Sequence, residues 1–170
     1  EARAFHADLK AVCDRHTVAD YSEFKAWADR YFYSPHRSES RGVGGIFFDH
    51  IGRDGDVDRE EVLAFCVDLA GQYAAIYRRR AEAFVDHPVT EDERRWQGLR
   101  RGRYVEFNLV HDRGTRFGLV SGGRTESILM SLPARAEWAY DHQPDEGSRE
   151  AETLSILRRG EAGTDWLGQA

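Results

Sequence analysis

Apolar side chains at Phe5, Leu9, Val12 and Cys13 recur at the three-to-four-residue interval of a helix, and after Asp20 so do Tyr21, Phe24, Trp27, Ala28, Tyr31 and Phe32. The spacing predicts two amphipathic helices, the second stopped before Pro35. His36 to Arg41 then leads through Gly42, Gly44 and Gly45 into Ile46-Phe47-Phe48-Asp49, which has the form of a loop entering a buried strand. Asp58, with Glu61 three residues on, resembles a capping box before Val62, Phe65, Cys66, Leu69, Tyr73 and Ile76 at helical spacing. This is the longest expected helix. Thr90 with Glu93 caps another, running to about Arg101.

From Arg103 the period changes to two. Arg103, Val105, Phe107, Leu109 and His111 fall on one side, with Tyr104, Glu106, Asn108, Val110 and Asp112 on the other, which predicts a strand. Turns at Asp112–Thr115 and Ser121–Gly123 would feed further strands near Phe117–Val120 and Thr125–Ser131. The expectation is therefore α+β: a single domain with an antiparallel meander near residues 103–131, sandwiched by helices. Ser148 caps a last helix through about Arg158.

The 170 residues carry 24 Lys+Arg against 30 Asp+Glu, a net charge of −6 that argues against nucleic acid as a partner. No stretch approaches the roughly 18 apolar residues of a membrane helix. Only Cys13 and Cys66 are present, far apart, which supports neither a disulfide framework nor a zinc module and suits a reducing, cytoplasmic setting. The N-terminus lacks the basic, apolar and small-residue order of a signal peptide. The charge is unevenly spread. Between Arg94 and Arg124 eight Arg stand against Glu106 and Asp112, a local excess of positive charge that suits an anion carrying several acid groups.

Asp54-Gly55-Asp56-Val57-Asp58 mimics the start of a calcium loop, but Arg59 stands where the loop needs Gly and Phe65 where it needs Glu. An Asp/Gly turn is the expected form. Gly42-Val43-Gly44-Gly45 precedes a strand rather than following one, so it is no dinucleotide loop. Around the meander, Asp112 beside Arg113 would stay ionised and could accept N–H groups of a ligand, while Arg113 and Arg124 present forks to carboxylates. Gly122 and Gly123 permit close backbone approach. His6 and His36 have no fixed metal spacing.

These same residues resemble the oxygen-dependent coproporphyrinogen-III oxidase family. The resemblance rests on Phe24-Lys25-x-Trp27, on His36-Arg37-x-Glu39-x-Arg41-Gly42-Val43-Gly44-Gly45-Ile46-Phe47-Phe48-Asp49, and on Arg100-Arg101-Gly102-Arg103-Tyr104-Val105-Glu106-Phe107-Asn108-Leu109. It continues through Asp112-Arg113-Gly114-Thr115 and Gly123-Arg124-x-Glu126-Ser127-Ile128-Leu129-Met130-Ser131-Leu132-Pro133. Ala28 and His50 depart from the usual Cys and Asp. Family members are longer, so the stretch corresponds to their C-terminal portion.

The resemblance implies oxidative decarboxylation of two propionates of coproporphyrinogen III to vinyls, giving protoporphyrinogen IX for haem, with O2 as co-substrate and no organic cofactor. It implies Asp112 and Arg113 as catalytic, and Gly122, Gly123 and Arg124 as substrate-binding. It further implies His6 and His36 as ligands of a divalent metal, and a homodimer through about residues 104–138. Two alternatives stand beside this reading: a non-catalytic tetrapyrrole-binding or dimerising relative, and an enzyme acting on another polyanion.

Overall fold

The computed structural model describes residues 1–52 and 57–168; the Asp54-Gly55-Asp56 turn lies outside them. Its elements are α1 (Ala2–Cys13), α2 (Tyr21–Tyr31), β1 (Tyr33–Ser34), β2 (Glu39–Ser40), α3 (Arg59–Glu82), α4 (Glu91–Val110), α5 (Arg113–Val120), α6 (Thr125–Ile128) and α7 (Arg149–Leu157). The class is α+β, with helices predominating over one small antiparallel sheet. Contacts gather the chain into two compact units, Glu1–Tyr31 with Val43–His87 and Glu161–Ala170, and Phe32–Gly42 with Pro88–Gly160.

In the first unit the helices start where polar caps precede apolar periodicity. Asp20 Oδ1 accepts the Glu23 N–H at 3.0 Å, and Asp58 accepts that of Glu60 at 2.9 Å in place of a Glu61 capping box. Leu9, Val12, Cys13, Tyr21, Phe24, Phe65 and Ile76 form the core. Within it the rings of Phe24, Phe48 and Phe65 meet at centroid distances of 5.0–6.0 Å. Asp68 on α3 takes Arg15 at 2.8 Å and His16 at 2.9 Å, fixing the end of α1 against α3. The Ile46–Asp49 stretch is not a strand. It is a loop joined to α2 by the Phe47 N–H on the Phe24 carbonyl at 3.1 Å, and its apolar residues are half-buried by packing rather than by a β-ladder.

In the second unit β1 and β2 pair antiparallel, Tyr33 with Ser40 and Ser34 with Glu39, across a tight turn at Pro35–Arg37. The expected meander is absent: Arg103–Val110 completes α4, Phe117–Val120 belongs to α5, and Thr125–Ile128 is α6. Two forces favour the helix. The Thr90/Glu93 capping box fixes the start of α4, and Arg, Leu and Glu propagate it through residue 103 without a break. The Arg103–Glu106 pair then decides between the periods. In a strand, residues three apart point to opposite faces, whereas on α4 they are neighbours, with Arg103 Nη1 3.3 Å from Glu106 Oε1.

Gly98 and Gly102 are buried on α4, and there the 137–138 segment runs against the helix, the Glu137 N–H donating to the Gly98 carbonyl at 2.9 Å. Ser148 caps α7 by accepting the Ala151 N–H at 3.1 Å, and Leu154 and Leu157 turn inward. Among the described residues no helix is long and apolar enough to cross a membrane.

Candidate active site

Glu106 organises the second unit's polar face. Arg37 donates to it from Nε at 2.8 Å and Nη2 at 2.5 Å, Trp138 Nε1 at 3.0 Å, and His36 Nε2 at 3.1 Å. The Arg37 fork, more than any other neighbour, holds the Glu106 carboxyl down to about 2, and the carboxylate raises Arg37 in return. Nearly two turns earlier on α4, Arg100 Nη1 donates to Glu39 on β2 at 2.7 Å, and Arg103 lies between the two carboxylates. Burial, and then the neighbouring Arg37, holds Arg103 below its ordinary value. The α4 face is thus a row of guanidinium and carboxylate groups at positions 100, 103 and 106, spaced by one helical turn.

The same end of α4 carries the sequence-predicted acid. His111 Nε2 lies 2.9 Å from His36 Nδ1, and the N–H groups of His111 and Asp112 both donate to the Phe107 carbonyl. Asp112 caps α5, its Oδ2 accepting the Thr115 N–H at 2.6 Å. Arg113 follows, exposed at the first position of α5. At the other end of that helix the chain turns through Gly122, whose φ of 73° suits glycine, and Gly123, whose N–H donates to the Gly118 carbonyl at 3.2 Å. Arg124 stands exposed just before α6.

The structure therefore brings His36 onto Glu106 and His111, next to Asp112, but leaves Gly122–Arg124 at the far end of α5, roughly 12 Å along the helix. Arg37, Trp138, Ala139, Tyr140 and Asp141 line a shallow cleft of about 570 Å³ beside the Glu106 cluster.

His6 belongs to the first unit. It is fully buried, with Nδ1 2.8 Å from the Tyr21 hydroxyl and Nε2 2.9 Å from the Val43 carbonyl. Burial holds its imidazole below the ordinary range and pushes the Tyr21 hydroxyl up to about 12. Both nitrogens of His36 are engaged as well. Among the described residues no three His, Cys, Asp or Glu side chains gather as a ligand set, so the residues as arranged do not fit the metal implied at His6 and His36.

The alternating pattern conceals Glu106, Arg37, Arg103 and Trp138 as parts of one cluster. Arg100, Arg103 and Glu106 at intervals of three are the signal that points to it.

Fold and site together define an α+β protein with a row of paired guanidinium and carboxylate groups along α4. The profile of the Coproporphyrinogen III oxidase family matches residues 1–166. The chain belongs to that family.

It is 49% identical over 154 residues to the oxygen-dependent coproporphyrinogen-III oxidase, chloroplastic, of Hordeum vulgare, covering 91% of this chain and 39% of the relative. It is 48% identical over 168 residues to the mitochondrial oxygen-dependent coproporphyrinogen-III oxidase of Homo sapiens, covering 98% and 36%. Coproporphyrinogen-III oxidase 1, chloroplastic, of Arabidopsis thaliana is 49% identical over 91% of the chain and 39% of its own length. The chain spans less than two fifths of the relatives it matches here.

Proposed function

We propose that this chain serves the oxygen-dependent oxidation of coproporphyrinogen III to protoporphyrinogen IX in haem biosynthesis. The observation that carries the reading is identity near one half along nearly the whole chain to oxidases of that name. Each of two propionates loses CO2 and a hydrogen from its β-carbon to become a vinyl group. The two electrons released per vinyl pass with two protons to O2, giving hydrogen peroxide, and no organic cofactor takes part.

On this reading the protein supplies orientation and electrostatics. Asp112, ionised beside Arg113, holds pyrrole N–H groups. Arg113 and Arg124 hold propionates, and the Gly122–Gly123 turn lies against the macrocycle. The separation of these groups along α5 suits a substrate bearing acid groups on several sides. A homodimer formed through residues 104–138 would take Phe117, Val120 and Met130, all exposed in the single chain, out of water. The relatives carry chloroplastic and mitochondrial names. For this chain we propose the cytoplasm, a location that two unpaired cysteines support.

The test is anaerobic equilibrium binding of coproporphyrinogen III, followed by admission of O2 and chromatography of the products. The chain is expected to bind the porphyrinogen and yield vinyl products, and Arg124→Glu to weaken binding at least tenfold. Absence of binding by the unaltered chain overturns the reading. Unchanged binding by the variant removes Arg124 from it.

A further inference from the structure

A histidine that serves a metal must keep one lone pair free for it. The surroundings of His6 leave none. The Val43 carbonyl can only accept, so the nitrogen facing it, Nε2, carries the proton and donates across 2.9 Å. Nδ1 is then the lone-pair nitrogen, and the Tyr21 hydroxyl donates to it across 2.8 Å. The side chain is fully buried, so a cation would have to displace one of these bonds and also cross the packing around the ring.

That packing has a recognisable purpose. The Val43 carbonyl accepts a second bond, from Trp166 Nε1 at 3.2 Å, and the Trp166 ring stacks on the imidazole at 5.7 Å with an interplanar angle of 18°. Phe5 meets the imidazole edge-on at 5.9 Å. Four parts of the unit thus meet at one side chain: helices α1 and α2, the loop at Val43, and the C-terminal segment 161–168.

The backbone of both incoming segments is shaped for the meeting. Gly44 has φ +79°, and a Cβ there would lie 3.1 Å from Asp29 Oδ1 and 3.9 Å from His6 Cε1. Gly163 has φ +66°, and a Cβ there would overlap the Asp29 carboxylate, which is itself paired with Lys25 inside the unit. Asp165 Oδ1 closes the segment's own turn by accepting the N–H groups of Leu167 and Gly168 at 3.0 and 2.9 Å, and Leu167 packs against the core.

We infer that His6 is a structural junction, the hydrogen-bonded hub fastening the C-terminal segment and the Val43 loop onto α1 and α2, and is not a metal ligand. The inference is independent of the proposed oxidase activity.

The test uses Mn2+ and Zn2+ as probes on the purified chain, with nitrogen-15 NMR of the His6 ring, titration calorimetry and amide hydrogen exchange. The His6 ring is expected to show the Nε2–H tautomer, unchanged by either metal and without paramagnetic broadening by Mn2+. Calorimetry of the wild-type chain and His6→Gln should give the same metal isotherm. Tyr21→Phe removes only the hydroxyl and spares the ring, so it serves if His6→Gln fails to fold. Either variant should speed exchange of the 161–168 amides about tenfold, the effect of losing one buried hydrogen bond. Mn2+ broadening of His6, a Zn2+ site lost in His6→Gln, or unchanged exchange of the segment in the folded variant would overturn the assignment.

Discussion

Replacing Gly102 by Ala and Gly71 by Ala changes stability in opposite directions, although both glycines lie inside helices. In an open helix interior the added methyl restricts the unfolded chain and is worth about 1 kcal/mol. Gly71, exposed on α3, has no atom within 4 Å of the place a Cβ would take, so Gly71→Ala should gain about that amount. Gly102 carries the same intrinsic gain, but its Cβ would overlap the Glu137 carbonyl oxygen and lie 3.4 Å from Trp138 Cε2. Because the obstacle is backbone, the 137–138 segment must move away from α4. Overpacking of that kind costs roughly 1–3 kcal/mol, and the displaced Glu137 N–H bond to Gly98 about 1 more. The net loss is about 2 kcal/mol, or roughly 4–8 °C in the thermal midpoint for a chain of this size. Urea unfolding followed by circular dichroism measures both variants against the wild type. A Gly102→Ala protein as stable as its parent, or a Gly71→Ala protein that loses stability, would refute the packing argument.

Three further outcomes concern the second unit. Glu106, whose carboxyl is held at about 2 against 4.5 for a free one, stabilises the fold above pH 4.5, and the contribution is lost as pH falls towards 2. Discounted for partial exposure it is roughly 2 kcal/mol, so Glu106→Gln should lower stability by about that at pH 7 and by under half of it near pH 3; an undiminished gap in urea midpoints at pH 3 would contradict this. Asp112→Asn keeps a good cap for α5 and should leave the thermal midpoint nearly unchanged, while cutting turnover of coproporphyrinogen III by at least tenfold in single-turnover assays; near-normal turnover would remove Asp112 from the chemistry. Thr90→Ala removes the side-chain half of the capping box, the Glu93 N–H bond to Thr90 Oγ1, and should cost about 1 kcal/mol in urea unfolding, whereas a loss within error would mean that α4 does not depend on it.

The helices are legible where a cap and a period agree. Asp20, Asp58, Thr90 and Ser148 each stand immediately before their helix, and Leu9, Val12, Phe24, Phe65 and Ile76, all placed on helical faces by spacing, meet in one core. The stretch after Arg103 misleads because apolar residues at 105, 107 and 109 satisfy a period of two as readily as a broad helical face. Only Phe107 of these is buried, while Leu109 is half exposed, so the alternation does not mark a sheet face. Ile46 to Phe48 shows the converse: a short apolar run is required by burial, and burial can be met by a loop lying across a core.

The site is legible in part for a related reason. Asp112, Arg113, Gly122 and Arg124 stand out through local turn chemistry, and turns are read from neighbours in sequence. Glu106 joins Arg37 and Trp138, 69 and 32 residues away, and such a meeting is decided by the packing of β1–β2 and the 137–138 segment on α4. His36 invites a metal in sequence, yet its ring is committed on both sides to Glu106 and His111, just as His6 is committed to Tyr21 and Val43. A histidine's sequence context names its possible chemistry, but the lone pair left after packing decides which chemistry remains. In both units the fold has used that lone pair for itself.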